Sequence, residues 1–388
     1  MVKLGFVGYA CAIAVLTTLA ACRSEAPRFG RALRTDSATV EIVINPVTDQ
    51  VLHWRFQREW TLGGANDDRI SPVQLGRHEI AVDDSGQLYV LDSSRFRVFS
   101  VSANGTVRDS LGGQGKGPGE LTEPLSVTVG SSNELAVYDR GRAGLVRWSA
   151  DGTPLPVAIV DAAVVGPAIA LTPIGLVFTT FDPESPGPDH QRLAAWSDSA
   201  DRTLARITRL PYRSADFPTC GLRNVTISPL FSPELVWAAR KTHLVVVATS
   251  EYVVGIYRDG QLRTSVRRPI ESRQVTETMA LRQVAEGVRV GSSCTIPPSE
   301  IVRGRGFAKA LAAVAAIAIS PIGEIWVLRG RLADEPSRID VFSNLGEYQG
   351  TLPPGTPFPA AFDDNDRMYA IEEDSLHTPL ITAYTIHR

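Results

Sequence analysis

Apolar and polar residues alternate with a period of two along much of this chain, and short polar or glycine-bearing turns interrupt the alternation. The run Ile80-Ala-Val-Asp-Asp-Ser-Gly-Gln-Leu-Tyr-Val-Leu-Asp92 shows the unit. Val127 to Asp139 restates it at a shift of 47 residues without a gap, and Arg95, Val98 and Gly105 recur as Arg142, Leu145 and Gly152. Each unit reads as strand, tight turn, strand, because successive side chains of a strand face opposite sides and a two-to-four-residue polar turn reverses it. Phe362 to Glu372 repeats the pattern almost letter for letter. Ile169 to Phe178 and Ile317 to Val327 keep its Gly-centred turn, and Val236 to Val247 is a degenerate sixth copy.

Six hairpins with a shortest spacing of 42 to 47 residues predict an all-β chain, a six-bladed β-propeller. Two intervals are longer, 67 and 81 residues, and locate insertions at about 182 to 233 and 269 to 310. The second has helical apolar spacing from Thr276 to Val288, at Met279, Leu281, Val284 and Val288. Both are expected as loop and helix insertions on one face of the disc. Either Val40 to Ile44 or the stretch around Val51 to Trp60 is expected to complete the last blade beside Leu380 to Ile386, hiding the sheet edges.

The first residues lie outside this pattern. A basic start, Met1-Val-Lys3, is followed by an apolar run from Leu4 to Leu19 that is too short to span about 30 Å of hydrocarbon comfortably. The expected division is a signal peptide at 1–21, a tether at 22–38 rich in arginine and without hydrophobic periodicity, and the propeller at 39–388. Of four cysteines, Cys11 belongs to the signal; Cys220 and Cys294, in an exported and oxidising setting, are expected to form a disulfide. The formal charge of −3 offers no basic field for nucleic acid.

Two resemblances sharpen this reading. Leu19-Ala-Ala-Cys22 resembles the bacterial lipobox, which implies lipidation at Cys22, an anchor to a membrane and an exported, membrane-anchored lipoprotein. Arg23, where some such proteins carry an inner-membrane retention aspartate, leans toward the outer membrane and periplasm. Leu111-Gly-Gly-Gln-Gly-Lys-Gly-Pro-Gly-Glu-Leu121, with Asp92 and Arg95-Phe-Arg-Val-Phe99, resembles the linker and the end of an NHL repeat over about 76 to 152. Together they make the chain similar to bacterial six-bladed β-propeller lipoproteins with NHL-like repeats.

Candidate chemistry is sparse. The glycines between Gly112 and Gly119 precede Pro118 and a strand rather than a Lys-Ser/Thr and a helix, so they shape an inter-blade turn and hold no phosphate. His78 falls two residues before an inner strand, where NHL-fold lyases place zinc-binding histidines; Leu125, Pro167 and Ala315 at matched positions supply no second ligand, while Glu234 does supply a carboxylate. Arg95 and Arg142 recur once per blade and read either as a guanidinium ring for an anionic ligand or as repeat-encoded partners of Asp92 and Asp139. His78, Glu234, Arg95 and Arg142 are therefore the candidate channel-binding residues, with no catalytic residue, metal or cofactor assigned. No Gly-x-Ser-x-Gly, Cys-x-x-Cys or His-Glu-x-x-His is present. The reading favours an anchored binding platform for a protein, peptide or glycan over its rival, a metal-dependent lactonase-like hydrolase or lyase working in the central channel.

Overall fold

The inner hairpins of the first and last blades turn on an aspartate. Asp83 Oδ1 accepts the backbone N–H groups of Ser85 and Gln87, both at 2.9 Å, and Asp363 Oδ1 does the same for Asn365 and Arg367. This is the short side-chain-to-backbone turn that Asp favours. It explains why the same letters recur at both ends of the repeat. The computed structural model describes residues 32–37, 39–70, 75–160, 163–185, 187–197, 200–291 and 293–388. Residues 1–31, which hold the expected signal peptide, Cys22 and most of the expected tether, lie outside them.

The six hairpins open six antiparallel sheets, and the chain is a six-bladed β-propeller. The innermost strands are Ile80–Val82, Pro124–Val129, Val164–Thr172, Leu235–Arg240, Val314–Ile319 and Pro359–Phe362, and three further strands extend each blade outward. Arg55–Gly63 closes the ring as the outer strand of the sixth blade, antiparallel to Pro379–His387. At the neighbouring turn of the first blade, a Cβ on Gly105 would lie 2.7 Å from the Trp60 ring of that closing strand, so only glycine fits there.

The core lies between blades rather than inside any one of them. Val245 and Val247 face the fifth blade, while Val246 between them faces the third. Trp326 faces the sixth blade and its neighbours Ile325 and Val327 face the fourth. Six such clusters separate the six blades, which is why the middle strands read as unbroken apolar runs.

Of the two segments expected as alternatives for ring closure, the second serves; Val40–Ile44 runs parallel to Gln261–Arg267 as a fifth strand of the fourth blade, and Leu33–Ser37 adds a sixth. Other expectations need correction. The final residues of the expected tether are thus a strand, held by backbone pairing that its charged letters do not advertise. The first insertion is shorter than 182 to 233, because His190–Ser197 and Ala200–Thr208 are the outer strands of the third blade. Their charges had hidden them: Arg192 pairs with Asp201, and Arg206 Nε lies 2.8 Å from Asp182. What remains is the hairpin Arg213–Phe217 with Leu222–Ile227.

The second insertion contains α1 (Glu277–Gln283), capped by Thr276, the hairpin Val288–Val290 with Cys294–Ile296, and α2 (Pro298–Arg305). α1 stops before Val288. Gly287 takes φ +74°, and a Cβ there would meet the Ile296 carbonyl at 2.5 Å, so the chain leaves the helix and turns into a hairpin. Cys220 is bridged to Cys294 with Cα atoms 5.8 Å apart, joining the two insertions. Phe217, Ile296 and Ile301 form their shared core. No helix among the described residues is long and apolar enough to cross a membrane.

Candidate functional site: the central channel

The six inner strands surround a cavity of about 590 Å³. All inner strands run the same way through the disc, so the face on which they begin is well defined; it is called the upper face here. Both insertions connect an outer strand to the next inner strand and therefore emerge on this face. Arg95 and Arg142 lie between second and third strands, where the chain has returned to the same face.

The lower mouth is spanned by charge pairs from the inner turns. Lys241 of the fourth blade places Nζ 3.1 Å from Asp364 of the sixth and 3.6 Å from Asp84 of the first, directly across the ring. Arg240 also pairs with Asp364, and its Nη1 donates to the Phe362 carbonyl at 3.1 Å. Hydrogen bonding to Asp364 raises the Lys241 pKa, so the amine stays charged. The walls above are mixed, with Thr128 and Thr172 as well as Val82, Leu171 and Trp237 among the lining residues.

Arg77 and His78 line the cavity near its upper end. They sit on a single turn, Arg77–Glu79, that delivers the chain into the first inner strand. Glu79 folds back onto the Gly76 N–H, and its Oε2 lies 3.5 Å from His78 Nε2. Burial lowers the His78 pKa, so the imidazole is neutral at pH 7. Burial raises that of Glu79, opposed by the Gly76 hydrogen bond.

Arg77 reaches sideways instead. Its Nη2 donates to the Ile317 carbonyl on the fifth blade at 2.7 Å, and its Cζ lies 4.8 Å from the centre of the Phe358 ring. Its Nε is buried without a hydrogen-bond partner, and no carboxylate among the described residues pairs with it. Burial alone pulls its pKa down to about 10.

Of the four expected channel residues, then, the structure places only His78 in the channel. Glu234 lies at the upper rim with its carboxylate 2.9 Å from Arg209, largely exposed. Arg95 lies 3.7 Å from Asp92 and donates to the Asp68 carbonyl. Arg142 donates to the Gly117 and Glu120 carbonyls, both at 3.0 Å, pinning the glycine-rich linker between the first two blades. Neither arginine belongs to a ring facing the channel, because the loop that carries them sits two strands out from the axis.

Sequence reasoning passed over Arg77 although it adjoins His78. Its contact at Ile317 is 240 residues away, and nothing local reveals that it lacks a carboxylate.

Among the described residues no three His, Cys, Asp or Glu side chains gather as a metal ion would need. His78 has no such group around it and Glu234 is paired with Arg209, so these residues do not fit the zinc or calcium site of the rival reading. A second cavity of about 520 Å³ lies under the second insertion between the fourth and fifth blades. Arg273 there is held by Glu335 through two contacts of 2.7 and 3.0 Å.

With this geometry in hand, the chain matches over residues 74–166 the family model DUF5128, described as a 6-bladed beta-propeller. No curated protein matches it. Many solved structures are similar at low identity, three of them as follows. A DUF4221 member from Bacteroides vulgatus shares 10% identity at TM-score 0.48, covering 86% of this chain and 99% of its own. A candidate exported protein of Bacteroides fragilis shares 11% at TM-score 0.47, covering 89% and 100%. A gluconolactonase of Xanthomonas campestris shares 14% at TM-score 0.39, covering 92% and 98%.

Proposed function

We infer that this chain is a lipid-anchored, extracytoplasmic propeller that serves as a binding platform, presenting its upper face to a protein, peptide or glycan. The observation that carries the reading is the crowding of one face. Both insertions, the disulfide between them, the loops bearing Arg95 and Arg142, and the Arg77–His78 end of the channel all belong to it. A rigid disc with elaboration on one side suits recognition, since loops held by a scaffold are where binding residues concentrate. Cys22 in a lipobox-like setting would tether the platform to the membrane, with the outer membrane favoured. That no three His, Cys, Asp or Glu side chains gather among the described residues weighs against the metal-dependent enzyme.

Two measurements test this. Cys22→Ser should move the protein from the membrane to the soluble fraction; a variant that still sediments with membranes refutes the anchor. A photo-crosslinking amino acid placed at Arg95, on the upper face, should trap a partner in cells. The same residue at Asp151, at an exposed outer turn of the lower face, should not. Equal trapping from both positions, or none from either, refutes the one-faced platform.

A further inference from the structure

We propose that the central channel is a binding site for a small organic monoanion, a carboxylate with an apolar body, and that Arg77 receives the carboxylate. The proposal rests on the reading of the propeller as a binding module and names what its channel takes.

The argument begins with an imbalance. Withdrawing a guanidinium from water is costly unless an anion is close. In the seams between blades the fold supplies one: Arg268 has Asp340 at 2.8 Å, Arg329 has Asp340 at 2.7 Å, and Arg367 has Asp363 at 2.9 Å; Arg305, whose pKa burial also lowers, donates to the Ser228 carbonyl but does not line the channel. Arg77 has one carbonyl and one aromatic ring, with Nε buried and unpartnered. Its lowered pKa has no cause but burial. Glu79, which could have served, is turned toward Gly76 and His78.

The surroundings choose the ligand. The cavity's 590 Å³ falls within the range of roughly 300–1,000 Å³ typical of small-molecule sites. Its lining includes the part-exposed apolar side chains Val82, Val129, Leu171 and Trp237, which can meet an apolar body. A single uncompensated cation suits one negative charge. A dianion such as a phosphate ester would be left half neutralised, since the other lining cations, Arg240 and Lys241, are both engaged by Asp364, and Lys241 also by Asp84, at the far mouth. A carboxylate also matches the planar fork of guanidinium donors. Asp83 and Asp84 make the lower end unfavourable for an anion, so the charge belongs at the Arg77 end.

The test titrates the mature chain with sodium octanoate and sodium 3-phenylpropionate, and with octanamide as the uncharged control, by calorimetry and thermal shift. At least one carboxylate should bind saturably at one site and raise Tm, with octanamide at least tenfold weaker than octanoate. Arg77→Met should weaken carboxylate binding at least tenfold while the ligand-free variant melts no lower than wild type, because an uncompensated charge has gone. Arg77→Lys should keep part of the binding and guards against misfolding of the methionine variant. Absence of saturable binding by both carboxylates, equal binding of octanoate and octanamide, or undiminished binding by Arg77→Met overturns the proposal. A ligand-free Arg77→Met that melts well below wild type does so too, since Arg77 would then be a structural plug. Membrane release of Cys22→Ser and crosslinking from Arg95 do not depend on any of these results, so the two readings can fail separately.

Discussion

Arg268 is fully buried and Arg77 half-buried in the same ring, and the fold treats them in opposite ways. Arg268 has a fully buried side chain that meets Asp340 at 2.8 Å and Asp49 at 2.7 Å and donates to the carbonyls of Pro46, Val47 and Thr48. The Tyr348 ring lies 3.9 Å from its Cζ. Burial alone would lower its pKa, but Asp340 and its other neighbours more than offset that and raise it. Arg77 receives none of this. The first arginine stitches the segment before the closing strand to the fourth and fifth blades, so its desolvation is repaid within the fold. The second carries an uncompensated cost in the wall of a cavity, where a ligand could repay it. Burial of a charge therefore says little by itself; whether the protein supplies the counter-charge separates a structural lock from a site.

The sharpest way to break the comparison is to make the first arginine resemble the second. Asp340 is buried and accepts from Tyr252, Thr351 and Arg329 besides its ion pair with Arg268. Asp340→Asn removes the carboxylate charge and leaves two buried guanidinium groups short of it. We expect a loss of about 3–5 kcal/mol, read as a fall in the urea or thermal midpoint. A change under about 1 kcal/mol would mean that the seam tolerates an orphan cation, and the distinction between the two sites would fail.

The next largest effect separates the two regions physically. The second insertion docks on the paired side of the ring, where Arg273 meets Glu335 and Arg282 meets Asp334 of the fifth blade. The disulfide ties it to the first insertion across 74 residues. Replacing Cys220 and Cys294 by Ser should cost about 2–4 kcal/mol and open the insertions to limited proteolysis. Carboxylate binding at Arg77 should stay within about twofold of wild type, since neither insertion supplies a residue that lines the channel. Loss of binding together with the bridge would show that cap and channel are one unit.

How much of this was legible beforehand follows the same division between local and distant partners. The six hairpins were readable because their causes are local: alternation along each strand, and a short polar or glycine-bearing turn, closed within four residues by Asp83 in the first blade, Ser320 in the fifth and Asp363 in the last. The outer strands of the third blade were missed because Arg192 and Arg206 interrupt the alternation, and the carboxylates that satisfy them are 9 and 24 residues away. Leu33–Ser37 was read as tether because Arg34 looks solvated, whereas it pairs with Glu41 and, at 2.9 Å, with Glu347 on the fifth blade. In the site, position along the repeat brought His78 to the channel, but it carried Glu234 only to the rim, where Arg209 holds it. Arg77 was invisible for a different reason: its significance is a missing partner, and a missing partner can be seen only once every neighbour is in place.

The smallest effect concerns the outer member of the paired site. Asp49 is more than a third exposed, and its carboxylate accepts from both Arg268 and Arg329. Burial pushes its pKa up, but the hydrogen bonds from Arg329 and then Arg268 outweigh it, so the folded-state value lies below the ordinary 3.8. A carboxyl depressed in this way contributes stability that is fully present above its unfolded pKa of about 4 and is lost as pH falls through the folded value. Asp49→Asn should therefore lower the midpoint at pH 7 by an amount equivalent to about 1 kcal/mol, less than Asp340→Asn because Asp340 still holds both arginines. The gap between wild type and variant should narrow below pH 4, and thermal midpoints taken from pH 7 down to pH 3 measure it. A gap independent of pH would mean that Asp49 acts through packing rather than charge, and Asp340 alone would then account for the counter-charge that distinguishes Arg268 from Arg77.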